Sequence, residues 1–252
     1  MENFREKNDK ELFNTISGKY AEKDIYQVSK EARAFQVHCM MDFLKKEFEI
    51  SKFGDVIEVG CGHGANSKYL QGHYQNFLGV DYSSELIKIA KARYGNSHSR
   101  FAIDNIKDID KHGQFDLIIG IGILHHVDNL EEVLKKLKEI GHEKTIYLFY
   151  EPQKGNPIIQ ILRKIRVRFD PNYSGDQVFF EKKELTKRVK DLGFKNIRSR
   201  YNGYLTPPFA QVIMKPKFIF QPLMRFSKKV DKILYRKINS RVAWNFIIAF
   251  TK

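Results

Sequence analysis

The segment with the clearest chemical meaning is a glycine loop, EVGCGHGA at residues 58–65, between a predicted buried strand and a predicted helix. Its glycines, Gly60, Gly62 and Gly64, alternate with other residues. Glycine permits a tight turn, close approach of a ligand to the backbone, and close packing of a helix on a strand. Glycines can also mark a simple turn, but their alternation directly after an apolar strand favours a loop that binds a ligand.

Polar residues follow the next two predicted strands. Asp81 comes 23 residues after Glu58, at the end of the second strand. A carboxylate there can accept hydrogen bonds from both hydroxyls of a ribose, or it can cap the helix that follows. Asp104 and Asn105 end the third strand, where they either read an adenine amino group or form a turn. These positions predict a nucleoside site beside the glycine loop.

The loop by itself fits two kinds of cofactor. Gly60, Gly62 and Ala65 satisfy the dinucleotide pattern, and Asp81 stands near the required offset, so an NAD(P)-dependent oxidoreductase is one hypothesis. Glu58, however, places a carboxylate where dinucleotide sites usually keep apolar packing. A sulfonium cofactor with a free amino group gives that carboxylate a cation to bind. The C-terminal pattern of strand, interruption and strand also favours an antiparallel hairpin over a second nucleotide-binding half.

The elements that position these residues can be read from the apolar pattern. Short apolar strands alternate with helices up to residue 151, which is typical of a parallel sheet covered by helices. The predicted strands are residues 55–59, 76–81, 100–105, 114–122, 145–151, 195–201 and 243–250. The predicted helices are residues 25–48, 65–71, 87–94 with Ser83 or Ser84 as N-cap, 129–140 and 179–194. Residues 152–180 lack a clear strand, and residues 206–240 form a long interruption.

Taken together, the motifs resemble the class I S-adenosylmethionine-dependent methyltransferases, in the branch that includes quinone-biosynthesis and other small-molecule methylases. The matching segments are VIEVGCGHG, LGVDYSSELIKIAK, FAIDN, FDLIIGIGILHHVDN, YEP, FFEKKELTKRVKDLGFKNI and the closing AWNFIIAFTK. The resemblance implies a Rossmann-like doubly wound seven-stranded sheet, mostly parallel with an antiparallel C-terminal strand, and helical caps. It predicts one domain over residues 1–252, composed of an N-terminal helical cap (1–50), a cofactor-binding core (51–151), basic cap insertions (152–180 and 206–241) and a last strand (243–252).

The same resemblance implies S-adenosylmethionine as the cofactor. The residues that it assigns to the cofactor are Glu58, Gly60, Cys61, Gly62, Gly64, Asp81, Tyr82, Asp104, Asn105, Gly120 and Ile121. In this assignment Glu58 and the loop hold the methionine part, and Asp81 binds the ribose. Tyr82 lies against the adenine, Asp104 takes its amino group, and the strand before residue 122 forms the floor of the site.

Methyl transfer from a sulfonium has an activated leaving group, so alignment and exclusion of water are the main requirements. A general base is needed only if the acceptor must lose a proton. His125 and His126, directly after the fourth strand, are the candidates, although either could simply pack against the next helix. No ligand set with the spacing of a closed metal site is visible, and Cys61 is interpreted as a small buried residue rather than a nucleophile.

The net charge of +14 is unevenly distributed. Residues 1–150 hold 21 basic and 23 acidic side chains, whereas residues 151–252 hold 23 basic and 7 acidic ones. The cofactor half is therefore nearly neutral, and the excess belongs to the segments expected to cap the acceptor site. Such a field suits nucleic acid, an anionic membrane surface or a phosphorylated substrate.

The basic excess is interleaved with apolar residues in two segments. Residues 206–241 contain nine basic residues and one acid, Asp231. A helix over residues 222–238 would put apolar residues on one face: Leu223, Phe226, Val230, Ile233, Leu234 and Ile238. Arg225, Lys228, Lys229, Lys232 and Arg236 would lie largely elsewhere. This pattern is typical of a helix in a membrane interface, or of a helix that covers the sheet edge with its basic face in water. Residues 157–171 repeat the combination.

These features favour methyl transfer to O, N or C of a small molecule such as a lipid, a quinone or a lipid-linked sugar, at an anionic membrane surface. An RNA methyltransferase could use the same charge, but GIGILHHV stands where base-amino methylases carry an Asn-Pro-Pro-Tyr motif, so nucleic acid is not favoured. A non-enzymatic basic adaptor is a third hypothesis. Two cysteines, a charged N-terminus and the absence of an apolar run of ~20 residues predict a cytoplasmic protein, and the two basic, apolar segments predict a peripheral location at the inner membrane face.

Overall fold

The computed structural model describes residues 4–169 and 177–252. Within these ranges seven strands form a single sheet: β1 Phe53–Val59, β2 Tyr74–Asp81, β3 Ser99–Ile103, β4 Phe115–Ile121, β5 Gly141–Pro152, β6 Lys195–Asn202 and β7 Asn245–Thr251. The strand order is β3-β2-β1-β4-β5-β7-β6. Strands β1 to β5 pair in parallel, and β7 is antiparallel to both β5 and β6. The predicted fold class is confirmed.

The strand order reverses between β1 and β4, which both pair with their neighbours in parallel. In the β1 register, Val59 lies beside Val80 of β2 and Gly120 of β4. The carboxyl ends of these three strands therefore meet at one edge of the sheet. Open α/β sheets bind their ligands in the crevice at such a reversal. The loops after these strands are therefore expected to form the binding site.

Helices cover both faces of the sheet. They are α1 Phe4–Glu22, α2 Gln27–Glu47, α3 Asn66–Leu70, α4 Ser84–Tyr94, α5 Leu130–Glu139, α6 Pro157–Phe169, α7 Lys182–Asp191, α8 Pro207–Gln211 and α9 Lys217–Lys237. Ser83, rather than Ser84, caps α4, because its hydroxyl accepts the Leu86 N–H at 3.3 Å. Asn129 caps α5 in the same way through the Glu132 N–H at 3.2 Å. Both caps satisfy backbone donors that the first helical turn leaves unpaired.

Side chains of β5 show how the sheet supplies two apolar cores. Tyr147 and Phe149 pack into the core on one face of the sheet, with residues of α5 and α7. Leu148 and Tyr150 pack into the core on the other face, with residues of α2 and α4. Successive side chains of a strand alternate between faces, so a strand apolar at every position must be buried on both. This burial fixes β5 and places the residues that follow it.

Helix α9 differs from the predicted one in its start and in its orientation. It begins at Lys217, so Pro222 lies inside the helix, where it removes one backbone donor, and not at its first turn. The buried residues are Met224, Ser227, Asp231 and Tyr235. Most of the predicted apolar face lies outside: Leu223 is 47% exposed, Phe226 61% and Ile233 54%. That face is therefore not what holds α9 to the protein.

Asp231, the one acidic residue of segment 206–241, connects α9 to the loop after β6. Its carboxylate accepts the N–H groups of Tyr204 at 3.2 Å, Leu205 at 2.9 Å and Thr206 at 3.0 Å. It also accepts the Thr206 hydroxyl at 2.5 Å. A buried carboxylate with four donors is well satisfied, so this polar contact fixes the helix against the loop that leads to α8.

The second predicted cap segment, residues 157–171, forms α6 as far as Phe169, and its last two residues lie outside the described ranges. Ile159 is buried, whereas Ile158, Ile161, Ile165 and Phe169 are exposed. No helix found in residues 4–169 and 177–252 is long and apolar enough to cross a bilayer.

Candidate active site

The glycine loop after β1 has the backbone that its sequence predicts. Gly60, Gly62 and Gly64 all have positive φ angles, of 67°, 54° and 79°. A Cβ at Gly60 would collide with Ile123, and one at Gly64 would lie 2.7 Å from Phe101. A Cβ at Gly62 would meet only Tyr20, at 3.7 Å. Gly60 and Gly64 thus allow close packing, whereas Gly62 leaves the loop open toward a cavity.

Asp81 closes this loop from the end of β2. Its Oδ2 accepts the Gly62 N–H at 2.8 Å, and its Oδ1 accepts the Ser83 N–H at 2.9 Å. Burial raises the pKa of the Asp81 carboxyl, although these backbone donors oppose the shift. The alternative role of Asp81 as the helix cap is wrong, since Ser83 caps α4.

A narrow cleft of about 50 Å³ brings the predicted nucleoside residues together. It is lined by Gly60, Val80, Asp81, Tyr82, Asp104, Asn105, Ile106, Ile123, His126 and Val127. Asp104 is also bound by its own segment, since its Oδ2 lies 2.6 Å from His112 Nε2 and 2.8 Å from Lys111 Nζ. Asn105 accepts the Lys107 N–H at 3.0 Å, so the turn foreseen for this pair is present as well.

A larger cavity of about 750 Å³ adjoins the cleft, and the two share Gly60 and His126. The residues lining it come from α1, α2, the glycine loop, the end of β4 and the segment after it, β5, α6, α8 and the approach to β7. Those from α1 are Leu12, Phe13, Ile16, Lys19 and Tyr20. Those from the C-terminal half include Leu162, Arg163, Phe179, Pro207, Val212, Ile213, Trp244 and Asn245. The N-terminal helix and the basic caps therefore enclose one space beside the loop.

Glu58 and Asn66 form a polar pair at the base of this cavity. Asn66 lines it, and its Nδ2 donates to Glu58 Oε1 at 2.6 Å. Glu58 Oε2 and Asn66 Oδ1 are buried and accept no hydrogen bond from the part of the chain that the structure describes. Burial raises the pKa of the Glu58 carboxyl to about 8. Two buried acceptors without donors fit a ligand that brings N–H groups, such as an ammonium.

His125 is held by a carboxylate that the sequence patterns did not single out. Its Nδ1 donates to Oε2 of Glu151 at 2.8 Å, and Oε1 of Glu151 accepts the N–H groups of Ile123 and Leu124 at 2.9 Å each. Burial raises the pKa of Glu151 to about 7. The His125 ring lines the larger cavity and stacks on Phe179 with ring centroids 5.4 Å apart. This arrangement leaves the lone pair on Nε2 of the neutral imidazole.

His126 faces both cavities but has a different partner. Its Nδ1 lies 3.0 Å from Oδ2 of Asp9 on α1, and its ring meets Phe13 edge to face. His126 thus connects the N-terminal helix to the junction of the cleft and the cavity. The two adjacent histidines are anchored by separate carboxylates, one from β5 and one from α1.

The remaining predicted residues are placed as follows. Ile121 lines the larger cavity, whereas Gly120 packs against Ile123 and Phe149 inside the sheet. Cys61 is buried, and burial raises its pKa well above the ordinary value, so the thiol stays protonated. Among the described residues no group of three or more His, Cys, Asp or Glu side chains could hold a metal ion.

One cation in the cavity was also missed from the sequence. Arg33 of α2 lines the cavity, and its Nε lies 3.6 Å from Oδ1 of Asp24. Asp24 contacts His63 of the glycine loop through its other oxygen. The helix pattern of residues 25–48 identifies α2, but it does not indicate which charged residue of that helix faces the loop.

A nucleotide-type sheet with a glycine loop after β1, a carboxylate after β2 and an antiparallel last strand defines the class of protein. Residues 31–199 match the family model of a methyltransferase domain, and the chain belongs to this family. This family assignment agrees with the class of protein that its motifs resemble. The hypotheses of an oxidoreductase and of a non-enzymatic adaptor have no support from this family match.

Relatives of several activities share parts of the sequence. A probable tRNA methyltransferase 9B of Mus musculus is 33% identical over 106 residues, which are 39% of this chain and 22% of that protein. A malonyl-[acyl-carrier protein] O-methyltransferase of Bacillus cereus is 24% identical over 157 residues, covering 56% of this chain and 57% of the relative. The chain thus spans about a fifth of the first relative and little more than half of the second.

A solved structure shows that the likeness in fold extends over nearly the whole chain. It is a SAM-dependent methyltransferase from Thermotoga maritima, a possible histamine N-methyltransferase, with a TM-score of 0.65 and 14% identity. The match covers 97% of this chain and 99% of that structure. At this identity the comparison supports the fold.

Proposed function

We propose that this methyltransferase acts on O, N or C of an amphipathic small molecule, such as a lipid, a quinone or a lipid-linked sugar, at an anionic membrane surface. The observation that carries the proposal is the outward-facing apolar side of α9, bordered by basic residues, beside a cavity that adjoins the cofactor loop. The organisation of residues 1–252 as one domain with a helical cap and two basic insertions belongs to the same proposal.

In this proposal the cofactor lies across the carboxyl ends of β1 and β2. When bound, it supplies a methyl group on a sulfonium, which is an activated leaving group. Asp81 accepts the ribose hydroxyls, and Tyr82, Asp104 and Asn105 surround the adenine in the narrow cleft. The loop residues Gly60, Cys61, Gly62 and Gly64, with Glu58 and Ile121, adjoin the methionine part. The orphaned Glu58 Oε2 supports this placement, because an ammonium would satisfy it.

Binding of S-adenosylmethionine at pH 7 is expected to release a proton from Glu58. Burial raises the pKa of this carboxyl to about 8, so much of it is protonated in the free protein at pH 7. A bound ammonium favours the carboxylate and lowers that pKa, which expels the proton. Calorimetric titrations in two buffers with different ionisation enthalpies should therefore give different binding enthalpies. Glu58→Gln, which keeps an acceptor for Asn66, should remove the difference, and equal enthalpies for the unaltered protein would contradict the assignment.

His125 is proposed as the general base for an acceptor that must lose a proton. Because Nδ1 donates to Glu151, the lone pair of the neutral ring is on Nε2, which is the atom proposed to accept the proton. Glu151 keeps the ring in this tautomer, and the backbone donors of Ile123 and Leu124 hold the carboxylate in place. Phe179 restrains the ring from its other side. His126, paired with Asp9, is proposed to position the N-terminal helix rather than to move a proton.

The surface of α9 supports docking to anionic lipid. Lys229 lies three residues after Phe226 and four before Ile233, so it is their neighbour on the helix surface. Arg225 and Lys232, which are also exposed, continue this basic row. A helix in a membrane interface buries its apolar side, and each basic residue near anionic headgroups adds about 1 kcal/mol.

The protein is expected to co-sediment with vesicles of anionic lipid at low salt, and the double variant Leu223→Ser, Phe226→Ser should lose most of this binding. Removing one large apolar side chain from a buried position costs about 1.5–3 kcal/mol, so the pair should weaken binding at least about tenfold. Ile103→Ser is the matched control, since Ile103 is 54% exposed on β3 at the opposite edge of the sheet. An unaltered protein that stays in the supernatant would refute membrane docking.

The acceptor class is tested by transfer of labelled methyl from S-adenosylmethionine into a total lipid extract and, separately, into RNA. The proposal expects label in the lipid fraction. The matches to tRNA methyltransferase 9B make RNA the rival acceptor. Salt-sensitive binding of RNA together with label in RNA alone would replace the lipid acceptor with a nucleic acid.

A further inference from the structure

The larger cavity has an opening, or mouth, between α6 and the end of α8, where one aliphatic residue on each side lines the cavity and is also exposed. Leu162 of α6 is 44% exposed, and Val212, directly after α8, is 46% exposed. The polar residues Gln211, beside Val212, and Lys19 of α1 also line the cavity and are exposed. A ligand entering between α6 and the segment after α8 would pass between Leu162 and Val212.

Apolar surface continues outward from both sides of this mouth. On α6, Ile161 is 59% exposed and Ile165 is 49% exposed, one turn apart on the helix. On the other side, α9 begins five residues after Val212 and presents Phe218 at 77% exposure. Both elements that border the opening therefore carry exposed large apolar residues. An opening that faces water would favour polar residues at these positions. Contiguous exposed apolar surface of this kind marks an interaction site.

Cationic side chains also line the cavity. Arg163 follows Leu162 directly and lines the cavity, with its guanidinium 3.6 Å from the centroid of the Phe179 ring. Its Nη1 donates to the Gln153 carbonyl at 3.0 Å, which fixes the side chain at the entrance. Lys19 and Arg33 also line the cavity from the N-terminal side. A path from aliphatic to cationic surroundings matches an amphiphile that enters with a polar, anionic head.

The size of the cavity limits how much of such a molecule can enter. Its volume of about 750 Å³ adjoins the glycine loop and must also take the methionine part of the cofactor. Pockets of about 300–1,000 Å³ hold a single small ligand, so long acyl or prenyl chains would not fit beside the cofactor. These chains must then lie outside the mouth, against the exposed apolar residues of α6 and α9.

We infer that the cavity opens onto the lipid phase of an anionic bilayer, between α6 and the segment from α8 to α9. The acceptor enters from the membrane with its head toward Arg163, and its apolar chains remain in the bilayer. This inference rests on the proposed membrane-associated methyl transfer and deepens it, since it specifies the route and the part of the acceptor that is bound.

Trp244 is a built-in probe of this route, because the chain has one tryptophan and its side chain lines the cavity. Vesicles of anionic phospholipid with bromine on the acyl chains near the headgroup should quench the fluorescence of Trp244, whereas unbrominated vesicles should not. Binding to unbrominated vesicles should also protect Trp244 from the aqueous quencher acrylamide. The inference would be overturned if acrylamide quenched the fluorescence of Trp244 as strongly in vesicle-bound protein as in free protein and if bromine had no effect on that fluorescence.

A variant at the mouth separates this route from docking alone. Leu162→Asp places a carboxylate at the opening, so it should lose the bromine quenching and the transfer of label to the lipid extract. The control Ile103→Asp should keep the bromine quenching, because it carries the same change on β3 at the far edge of the sheet. If Leu162→Asp keeps full quenching and transfer, the route is wrong. Titration with S-adenosylmethionine checks the proposed function separately, because a protein that does not bind this cofactor fails as a methyltransferase whatever the quenching shows.

Discussion

Asp81→Ala is expected to weaken the binding of S-adenosylmethionine about a hundredfold or more. Asp81 is proposed to accept the ribose hydroxyls, and a hydrogen bond to a charged group contributes roughly 1.5–3 kcal/mol. The substitution also removes the acceptor of the Gly62 and Ser83 N–H groups, which hold the glycine loop and the start of α4 together. The loss therefore affects both the ribose contact and the shape of the loop. Calorimetric titration with S-adenosylmethionine and its demethylated product measures the effect.

Asp116→Ala is the matched control for this variant. Asp116 also accepts two backbone N–H groups, of Gly54 at 2.8 Å and Asp55 at 3.0 Å, but at the start of β1 and β4, away from the loop. It should lose a comparable amount of stability in thermal unfolding while its affinity for the cofactor remains that of the unaltered protein. If Asp81→Ala binds the cofactor as tightly as Asp116→Ala does, the ribose assignment is refuted.

Glu151→Gln is expected to slow methyl transfer by about 10²–10⁴-fold for an acceptor that must lose a proton, which is the usual contribution of general acid–base catalysis. The amide cannot stabilise a protonated His125 as the carboxylate does, although its oxygen can still accept the backbone N–H groups of Ile123 and Leu124. Glu151 thus acts as a positioning residue for His125. The measurement is the initial rate of labelled methyl transfer, with thermal unfolding as the test of an intact fold.

The pH dependence provides a second readout of the same pair. Burial raises the pKa of Glu151 to about 7, so lowering the pH through 7 protonates the carboxyl. A neutral carboxyl supports a cationic His125 less well, and the rate should fall on the acidic side of pH 7. Glu151→Gln should lack this dependence, while its KM for S-adenosylmethionine stays unchanged. A variant with the unaltered rate and pH profile would show that Glu151 does not act through His125.

Periodicity and strand-end rules predicted the sheet and the cofactor edge because both depend on local sequence. Apolar runs locate strands, and the carboxyl ends of parallel strands must meet, so these rules alone place the glycine loop and Asp81 side by side. The resemblance implied an N-terminal helical cap over residues 1–50, but periodicity did not locate α1, since residues 4–22 mix charged and apolar residues without a clear stripe. It is fixed by tertiary contacts, such as Asn14 Oδ1 accepting the Ser83 hydroxyl at 2.7 Å.

The pairing of His125 with Glu151 shows what sequence patterns could not supply. The two residues are 26 positions apart, and they meet because the parallel register sets Ile121 of β4 beside Tyr150 of β5. Register depends on packing across the whole sheet, so a sequence pattern identifies the strand ends but not which side chains touch. The YEP segment at the end of the fifth strand was the available signal. Asn66, Arg33 and the Asp24–His63 contact depend on tertiary packing in the same way.

The orientation of α9 determines how the molecule behaves in water without a bilayer. Because α9 packs on the protein through Met224, Ser227, Asp231 and Tyr235, the large apolar side chains of its other side remain uncovered by the part of the chain that the structure describes. Such surfaces associate with one another as protein concentration rises. Mild detergent during purification is therefore expected to maintain a monodisperse preparation, and crystals grown without it would bury α9 against a neighbouring copy.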